Sequence, residues 1–157
     1  MTIKLVCIGQ TDKKELETLI NLYSDRLQHY IKFELDLIPD LKKTKNLDEN
    51  QQKSKEGDLI LAGIQNSDFV ILLDENGKQF SSESFSEYLQ KRMNTGLKRL
   101  IFIIGGPYGF SEEVYKRANS KISLSKMTFS HQMVRLFFTE QLYRAFTILK
   151  NEPYHHR

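Results

Sequence analysis

Three glycines in the last third of the chain form a pattern that could hold a ligand. Gly105, Gly106 and Gly109 follow the apolar run 100–104, and Ser111 can cap a helix directly after them. Because glycine has no Cβ, such a loop lets a ligand approach the main chain closely. The order differs from the Gly-x-Gly-x-x-Gly fingerprint that opens the first βαβ unit of dinucleotide-binding proteins. The pattern therefore predicts either a binding loop for another kind of ligand or a structural turn.

Two carboxylates bear on which ligand this loop could take. Glu112 and Glu113 occupy the first turn of the helix after the loop, where they complement the helix dipole. A phosphate bound at the same helix N-terminus would be repelled by them. They weigh against a nucleotide- or phosphate-binding module without chemistry, which stays open as an alternative.

Charged and aromatic side chains at the end of the chain have simple structural explanations. Arg144 follows Glu140 by four residues on the last predicted helix, which favours a surface ion pair. Tyr154 and His155 lie in the tail, where a frayed terminus is the ordinary expectation. The histidines near the chain end lack the spacing of metal ligands, so we expect no metal site.

The composition is that of a globular protein with one domain. The 157 residues are 39% hydrophobic and 27% charged, which is enough for a single core over residues 1–157. No apolar run is long enough to span a membrane, and the N-terminus lacks a signal-peptide pattern. Cys7, the single cysteine, predicts a buried thiol in a reducing cytoplasm. The net charge of +3 permits an RNA partner but does not establish one.

Strands and helices alternate along the chain, which is typical of an α/β fold with a largely parallel sheet. We predict strands at 4–8, 31–38, 69–73, 100–104 and 122–125. We predict helices from 11 or 12 to about 30, then at 47–65, 81–95, 111–118 and 131–150, with a possible break at Gly57 in the second.

Three of the predicted strands end in unusual loops. These loops are 73–77, 105–109 and 124–129. Ligands of parallel α/β sheets bind at the carboxyl ends of the strands. We therefore expect the three loops to lie side by side at one edge of the sheet.

The last helix is apolar over more than half of its circumference, whereas a helix on one sheet face needs only a stripe. It is either central to its own chain or packs on a second subunit as well. We favour a second subunit, because a terminal helix is poorly placed to be central. The apolar residues are Met133, Val134, Phe137, Phe138, Leu142, Ala145, Phe146, Ile148 and Leu149.

The order of motifs along the chain carries a resemblance to a known family. The motifs are LLDExGK at 72–78, SSExF at 81–85, FIIGGxxG at 102–109, LSxMTxxHQ at 124–132, EQxYRA at 140–145 and PYH at 153–155. Together they closely resemble the small bacterial SPOUT-family methyltransferases that methylate N3 of a pseudouridine in large-subunit ribosomal RNA. The similarity runs from about residue 3 to the chain end. Ser130 stands where that family often has proline, and both residues suit a helix start.

The resemblance implies a fold, a cofactor and an assembly. The fold is the α/β SPOUT fold, with a mostly parallel sheet flanked by helices and a C-terminal trefoil knot. The assembly is a homodimer, and the cofactor is S-adenosylmethionine, bound in a bent shape among the knot loops. Carried over by motif, the cofactor contacts are Leu73, Gly105, Leu124, Ser125, Lys126, Met127, Thr128 and Phe129.

The resemblance also implies a reaction in the cytoplasm on the assembled ribosome. N3 of pseudouridine is an imide nitrogen that must lose its proton before it becomes a good nucleophile. The enzyme must align it with the methyl group, and a positive group or a base would assist. The candidates are Arg144, Tyr154 and His155, and the tail of one subunit could close over the cofactor of the other. A ribosome-associated protein that binds RNA through the lysines of 42–55, without catalysis, is the remaining alternative.

Overall fold

Within residues 1–156, which the computed structural model describes, five strands form one sheet. They are β1 (Thr2–Ile8), β2 (Lys32–Ile38), β3 (Phe69–Gln79), β4 (Arg99–Ile104) and β5 (Ser120–Ser123), in the order β2-β1-β4-β3-β5. All four neighbouring pairs are parallel. The central strands β1 and β4 are almost entirely buried, as strands covered on both faces must be. The predicted parallel α/β architecture is confirmed.

Helices cover both faces of this sheet. They are α1 (Lys14–Leu27), α2 (Glu49–Ala62), α3 (Ser82–Met93), α4 (Glu112–Arg117) and α5 (His131–Leu149), with a short 3₁₀ turn at Thr44–Asn46. One core cluster joins the sheet to α1, α3 and α5, and a second joins it to α2 and α4. No helix within residues 1–156 has the length and apolar character needed to cross a membrane.

Serine caps fix three helix starts as the sequence predicts. Ser81, Ser111 and Ser130 accept hydrogen bonds from backbone N–H groups three residues ahead. The predicted cap of α1 is wrong, because its candidate residues are engaged with α5. Thr11 accepts a hydrogen bond from Arg135, and the backbone N–H of Asp12 donates to Gln132.

The third strand is longer than its sequence indicates. Turn chemistry at 74–77 predicts an end after Leu73, and Asp74 does accept a hydrogen bond from the Asn76 N–H at 2.8 Å. The strand nevertheless resumes, since Leu73 and Lys78 both pair with Ile122 across a bulge. The predicted turn is therefore a bulge within β3, which brings its residues to the carboxyl end of the sheet.

Gly57 does not break the second helix, so that possibility is wrong. It is buried inside α2, and a Cβ at this position would collide with the hydroxyl of Ser111, the cap of α4. The glycine lets α2 and α4 approach each other closely.

The last helix is central within its own chain. α5 lies on one face of the sheet between α1 and α3, and Phe138, Leu142 and Ala145 are fully buried there. A terminal helix is therefore central here, and the expectation that α5 is poorly placed to be central is wrong. Its apolar circumference is mostly used inside the chain, so the homodimer needs separate support.

Candidate active site

A cavity of about 680 Å³ opens at the carboxyl end of the sheet. Its wall combines the bulge of β3, the segments after β4 and β5, and the first turn of α5, so the three stretches predicted as loops do come together. Seven of the eight predicted cofactor residues line it: Leu73, Gly105, Leu124, Ser125, Met127, Thr128 and Phe129. Lys126 is exposed and is not part of the wall. That these side chains bind a cofactor stays a prediction.

The glycine loop is a tight turn in the cavity wall. The Gly109 N–H donates to the Gly106 carbonyl at 3.1 Å, and Gly109 has a positive φ of 81° that favours glycine. A Cβ on Gly105 would lie 3.1 Å from the ring of Phe110 and 3.2 Å from the carbonyl oxygen of Gly109. The loop is therefore both a structural turn and part of the cavity, and the two interpretations of its glycines are compatible.

The charged side chains of the cavity wall are acidic. Glu49, Asp74 and Glu75 line it together with His131, and no lysine or arginine of residues 1–156 does. Glu49 and His131 come from α2 and from the start of α5, and the sequence pattern did not indicate either as a residue of the cavity wall. A cavity with this charge favours a cationic ligand over a phosphate.

Apolar side chains supply the remainder of the wall. Leu73, Ile104, Leu124 and Val134 contribute aliphatic surface, and Phe129 adds an aromatic ring. Such a surface suits a flat heteroaromatic group, while neighbouring loop amides and carbonyls are available to its polar edge.

Arg144, Tyr154 and His155 come together in a second cluster, which we call the tail cluster, around Glu140. Oε1 of Glu140 accepts from Arg144 at 2.6 Å and from the Tyr154 hydroxyl at 2.9 Å. Nη1 of Arg144 lies 3.3 Å from Nδ1 of His155, and the Arg144 guanidinium stacks on the Tyr154 ring at 4.7 Å. The predicted ion pair exists, but it is one part of a larger hydrogen-bonded group.

The tail is held in place, so the expectation of a frayed terminus is wrong for the residues described. The hydroxyl of Tyr30 donates to Glu152, and the Glu152 N–H donates to the Thr147 carbonyl at 2.9 Å. Tyr154 also packs edge-on against Tyr143. These contacts tie the tail to α5 and to the segment between α1 and β2.

The hydrogen bonds of the tail cluster determine where its protons lie. A guanidinium donates and cannot accept, so Nδ1 of His155 must be the acceptor and Nε2 carries the proton. Burial, together with the hydrogen bonds to Tyr23 and Glu140, raises the pKa of Tyr154. In this arrangement the cluster therefore presents hydrogen-bond donors rather than a free base.

The tail cluster lies far from the cavity of its own chain. Arg144 is ten residues beyond Val134, a residue of the cavity wall on the same helix. At 1.5 Å per residue this corresponds to about 15 Å along the helix axis. Arg144, Tyr154 and His155 are absent from the cavity wall. A site that combines cavity and cluster would therefore need two chains.

Within residues 1–156, no three His, Cys, Asp or Glu side chains lie together in a group that could hold a metal ion. His131 lies in the cavity wall, whereas His155 is hydrogen-bonded to Arg144 in the tail cluster. The structure thus separates two of the histidines near the chain end.

The fold and the cavity at its strand ends agree with a family of methyl-transferring enzymes. A sequence model described as predicted SPOUT methyltransferase matches residues 1–155. The chain belongs to the SPOUT methyltransferase family and is a methyltransferase.

Individual relatives are similar over the whole chain. A protein of Christiangramia forsetii is 91% identical over 157 residues, covering all of both chains. One of Flavobacterium johnsoniae is 67% identical, again over all of both chains. Both are named ribosomal RNA large subunit methyltransferase H.

The fold also matches a solved structure, that of a probable methylase family protein from Haemophilus influenzae. Its TM-score is 0.53 at 15% identity, over 99% of this chain and 70% of that one. This likeness bears on the fold alone.

Proposed function

We propose that this chain transfers a methyl group from S-adenosylmethionine to N3 of a pseudouridine in large-subunit ribosomal RNA. The observation that carries the proposal is the 91% identity, over both full chains, to a relative named for methylation of that RNA. The position on the base and the assembled ribosome as substrate come from the motif resemblance. Such an enzyme would work in the cytoplasm.

The cavity fits this cofactor in size and charge. About 680 Å³ lies within the range of small-molecule sites. Carboxylates at Glu49, Asp74 and Glu75 favour a ligand with a positively charged sulfonium and disfavour a phosphate. When bound, the cofactor supplies an electrophilic methyl group. We propose that Leu73, Gly105 and residues 124–129 hold it, with Lys126 contributing main-chain atoms.

The tail cluster would act on the RNA base. An imide that loses its proton at N3 spreads negative charge onto its neighbouring carbonyl oxygens. Arg144 and the Nε2–H of His155 are donors suited to that charge, and Tyr154 positions the guanidinium through its ring. Fixed donors favour the imide anion without taking the proton themselves, so the proton would pass to water.

A homodimer would bring the cluster to the cavity. Apolar side chains remain exposed beside the cavity, with exposed fractions of 74% for Met127, 37% for Phe129 and 39% for Phe137. The rings of Phe129 and Phe137 pack 5.1 Å apart. We propose that a second subunit covers this surface and places its tail over the cavity. We further propose that residues 1–157 form one SPOUT domain whose C-terminal part is knotted.

Incubation with labelled S-adenosylmethionine and ribosomes tests the proposal. We expect label in the large-subunit RNA, and nucleoside analysis should find it on N3 of one pseudouridine. Naked RNA serves as the comparison substrate and should be labelled much less. Cofactor binding without RNA labelling would indicate a non-catalytic nucleotide-binding module. Ribosome binding without cofactor binding would indicate a structural RNA-binding protein.

A further inference from the structure

A buried carboxylate contacts the glycine loop of the cavity wall. Glu56 lies on α2 and is only 4% exposed. A Cβ added to Gly106 would come within 2.5 Å of Oε2 of Glu56. The carboxylate therefore occupies the space that a side chain at Gly106 would fill. Gly106 lines the cavity, and Glu56 contacts it from α2.

This carboxylate is incompletely paired within residues 1–156. Gln52 donates to Oε1 at 3.1 Å, and Oε2 has no hydrogen-bond partner. Among the described residues 1–156, no cation forms an ion pair with Glu56, so its charge is poorly compensated there. An unpaired buried carboxylate normally costs several kcal/mol and is therefore uncommon without a functional or structural reason.

The titratable groups around Glu56 come from two other segments, at Asp40 and His131. Burial raises the pKa of Glu56; the hydrogen bond from Gln52 opposes the shift, Asp40 adds to it, and His131 opposes it. The helix α4, which also packs on α2, contributes Ser111 and Val114 beside the neighbouring Gly57. Of these groups His131 alone can become cationic, and it belongs to the cavity wall.

We propose that Glu56 is a buried counter-charge for a cationic ligand in the cavity, and that it makes the site prefer the charged methyl donor over its neutral demethylated product. This inference rests on the proposed cofactor. S-adenosylmethionine carries a positive sulfonium, whereas the sulfur of S-adenosylhomocysteine is neutral. A carboxylate that lies behind the loop backbone and is shielded from water attracts the positive sulfonium of S-adenosylmethionine. It does not attract the neutral sulfur of S-adenosylhomocysteine. Such a preference assists release of the product after each turnover.

The proposal also predicts a linked proton. Binding of a cation near Glu56 lowers the pKa of its carboxyl, so the fraction of protein protonated at Glu56 releases a proton to the solvent. S-adenosylhomocysteine should release fewer protons, because it lacks the sulfonium charge. A carboxylate that only fills space under the loop would show neither difference.

Calorimetric titration of the full-length protein with both ligands tests the proposal. Glu56→Gln keeps the shape of the side chain and removes its charge. At about pH 8 we expect it to weaken S-adenosylmethionine binding by about tenfold and S-adenosylhomocysteine binding by less than about twofold. Repeating the titrations at successively lower pH in two buffers of different ionisation enthalpy measures proton release, which the variant should lose.

Asp58→Asn is the matched control, since it removes one negative charge from the exposed face of the same helix. It should change neither affinity by more than about twofold. Equal weakening of both ligands by Glu56→Gln would show that Glu56 is structural and would overturn the inference. Unchanged binding of both would overturn it as well. If the wild-type protein binds neither ligand, the proposed function itself fails.

Discussion

Nη1 of Arg144 lies 3.3 Å from Nδ1 of His155, and the guanidinium is the donor in this contact. The imidazole therefore carries its proton on Nε2, and its Nδ1 lone pair is occupied. A histidine held in this way donates a hydrogen bond and is poorly suited to remove a proton. This distinction leads to a first prediction about the tail cluster.

His155→Gln should retain much more activity than His155→Ala. The glutamine amide can place an N–H near the position of Nε2, whereas alanine removes the donor. We expect kcat to fall about 10²-fold for the alanine variant, as when an oxyanion donor is lost, and less than about tenfold for glutamine. Affinity for S-adenosylmethionine should be unchanged in both. Equal and severe losses of kcat in the two variants would instead identify His155 as the base.

The second prediction concerns stability and pH at Glu56. Its pKa is raised in the folded protein above the ordinary value of 4.5, mainly by burial. The folded state therefore binds this proton more tightly than the unfolded state does. The protonated carboxyl contributes fully to the free energy of unfolding at pH values below its pKa in the unfolded state. That contribution is lost as the pH rises through its pKa in the folded state. Glu56→Gln should thus gain in Tm relative to wild type as the pH rises above 4.5.

Thermal unfolding of both proteins across that range measures the difference, with Asp58→Asn as the exposed control. A difference in Tm that stays constant with pH would mean that Glu56 does not change its protonation in this window. The same variant therefore reports on the buried charge without any ligand present.

The third prediction separates two neighbouring phenylalanines of α5. Phe137 is 39% exposed beside the cavity, whereas Phe138 is fully buried against Phe102 and Phe85. Phe137→Asp should yield folded monomers, because it places a charge in the proposed subunit contact. Phe138→Ala should lower the free energy of unfolding by roughly 3–5 kcal/mol through the cavity it leaves.

Sedimentation and denaturant unfolding of the two variants give the required readouts. A Phe137→Asp protein that sediments as a dimer would place the subunit contact elsewhere. Both phenylalanines count equally as apolar in the sequence, so the hydrophobic pattern alone does not show which of them is buried.

Local signals in the sequence predicted most of the fold. The apolar runs gave the strands, and Ser81, Ser111 and Ser130 marked helix starts through hydrogen bonds to residues only three positions away. The errors all involve partners distant in sequence. Gly57 sits inside a helix because a Cβ there would collide with Ser111, and β3 continues because Lys78 pairs with Ile122.

The position of the candidate site was also predictable, but the residues behind its wall were not. Loops at the strand ends could be placed at one edge of the sheet, because parallel strands share their direction. Glu56 could not be found, since a glutamate in a polar helix looks like any solvated residue until Gly106 is packed on it. The anchoring of the tail by Tyr30 was equally invisible, because the two partners are 122 residues apart.

The last prediction tests whether the active site is shared between subunits. Arg144 lies ten residues beyond Val134 of the cavity wall, about 15 Å along α5, so one chain does not supply both parts in this structure. Thr128→Arg fills the cavity with a long cationic side chain and leaves the tail cluster untouched. A chain truncated after Pro153 keeps the cavity and loses Tyr154 and His155. Each homodimer should be inactive on ribosomes.

Mixed dimers of the two variants restore one site if the cavity of one subunit works with the tail of the other. An equal mixture should then show about one quarter of wild-type activity, since half of the dimers are mixed and each has one of two sites intact. The truncated homodimer should still bind S-adenosylmethionine, which shows that its cavity is formed. Different affinity tags on the two chains establish that mixed dimers are present. Their complete inactivity would mean that each chain uses its own tail, and the tail would then have to leave Glu140 and move to the cavity.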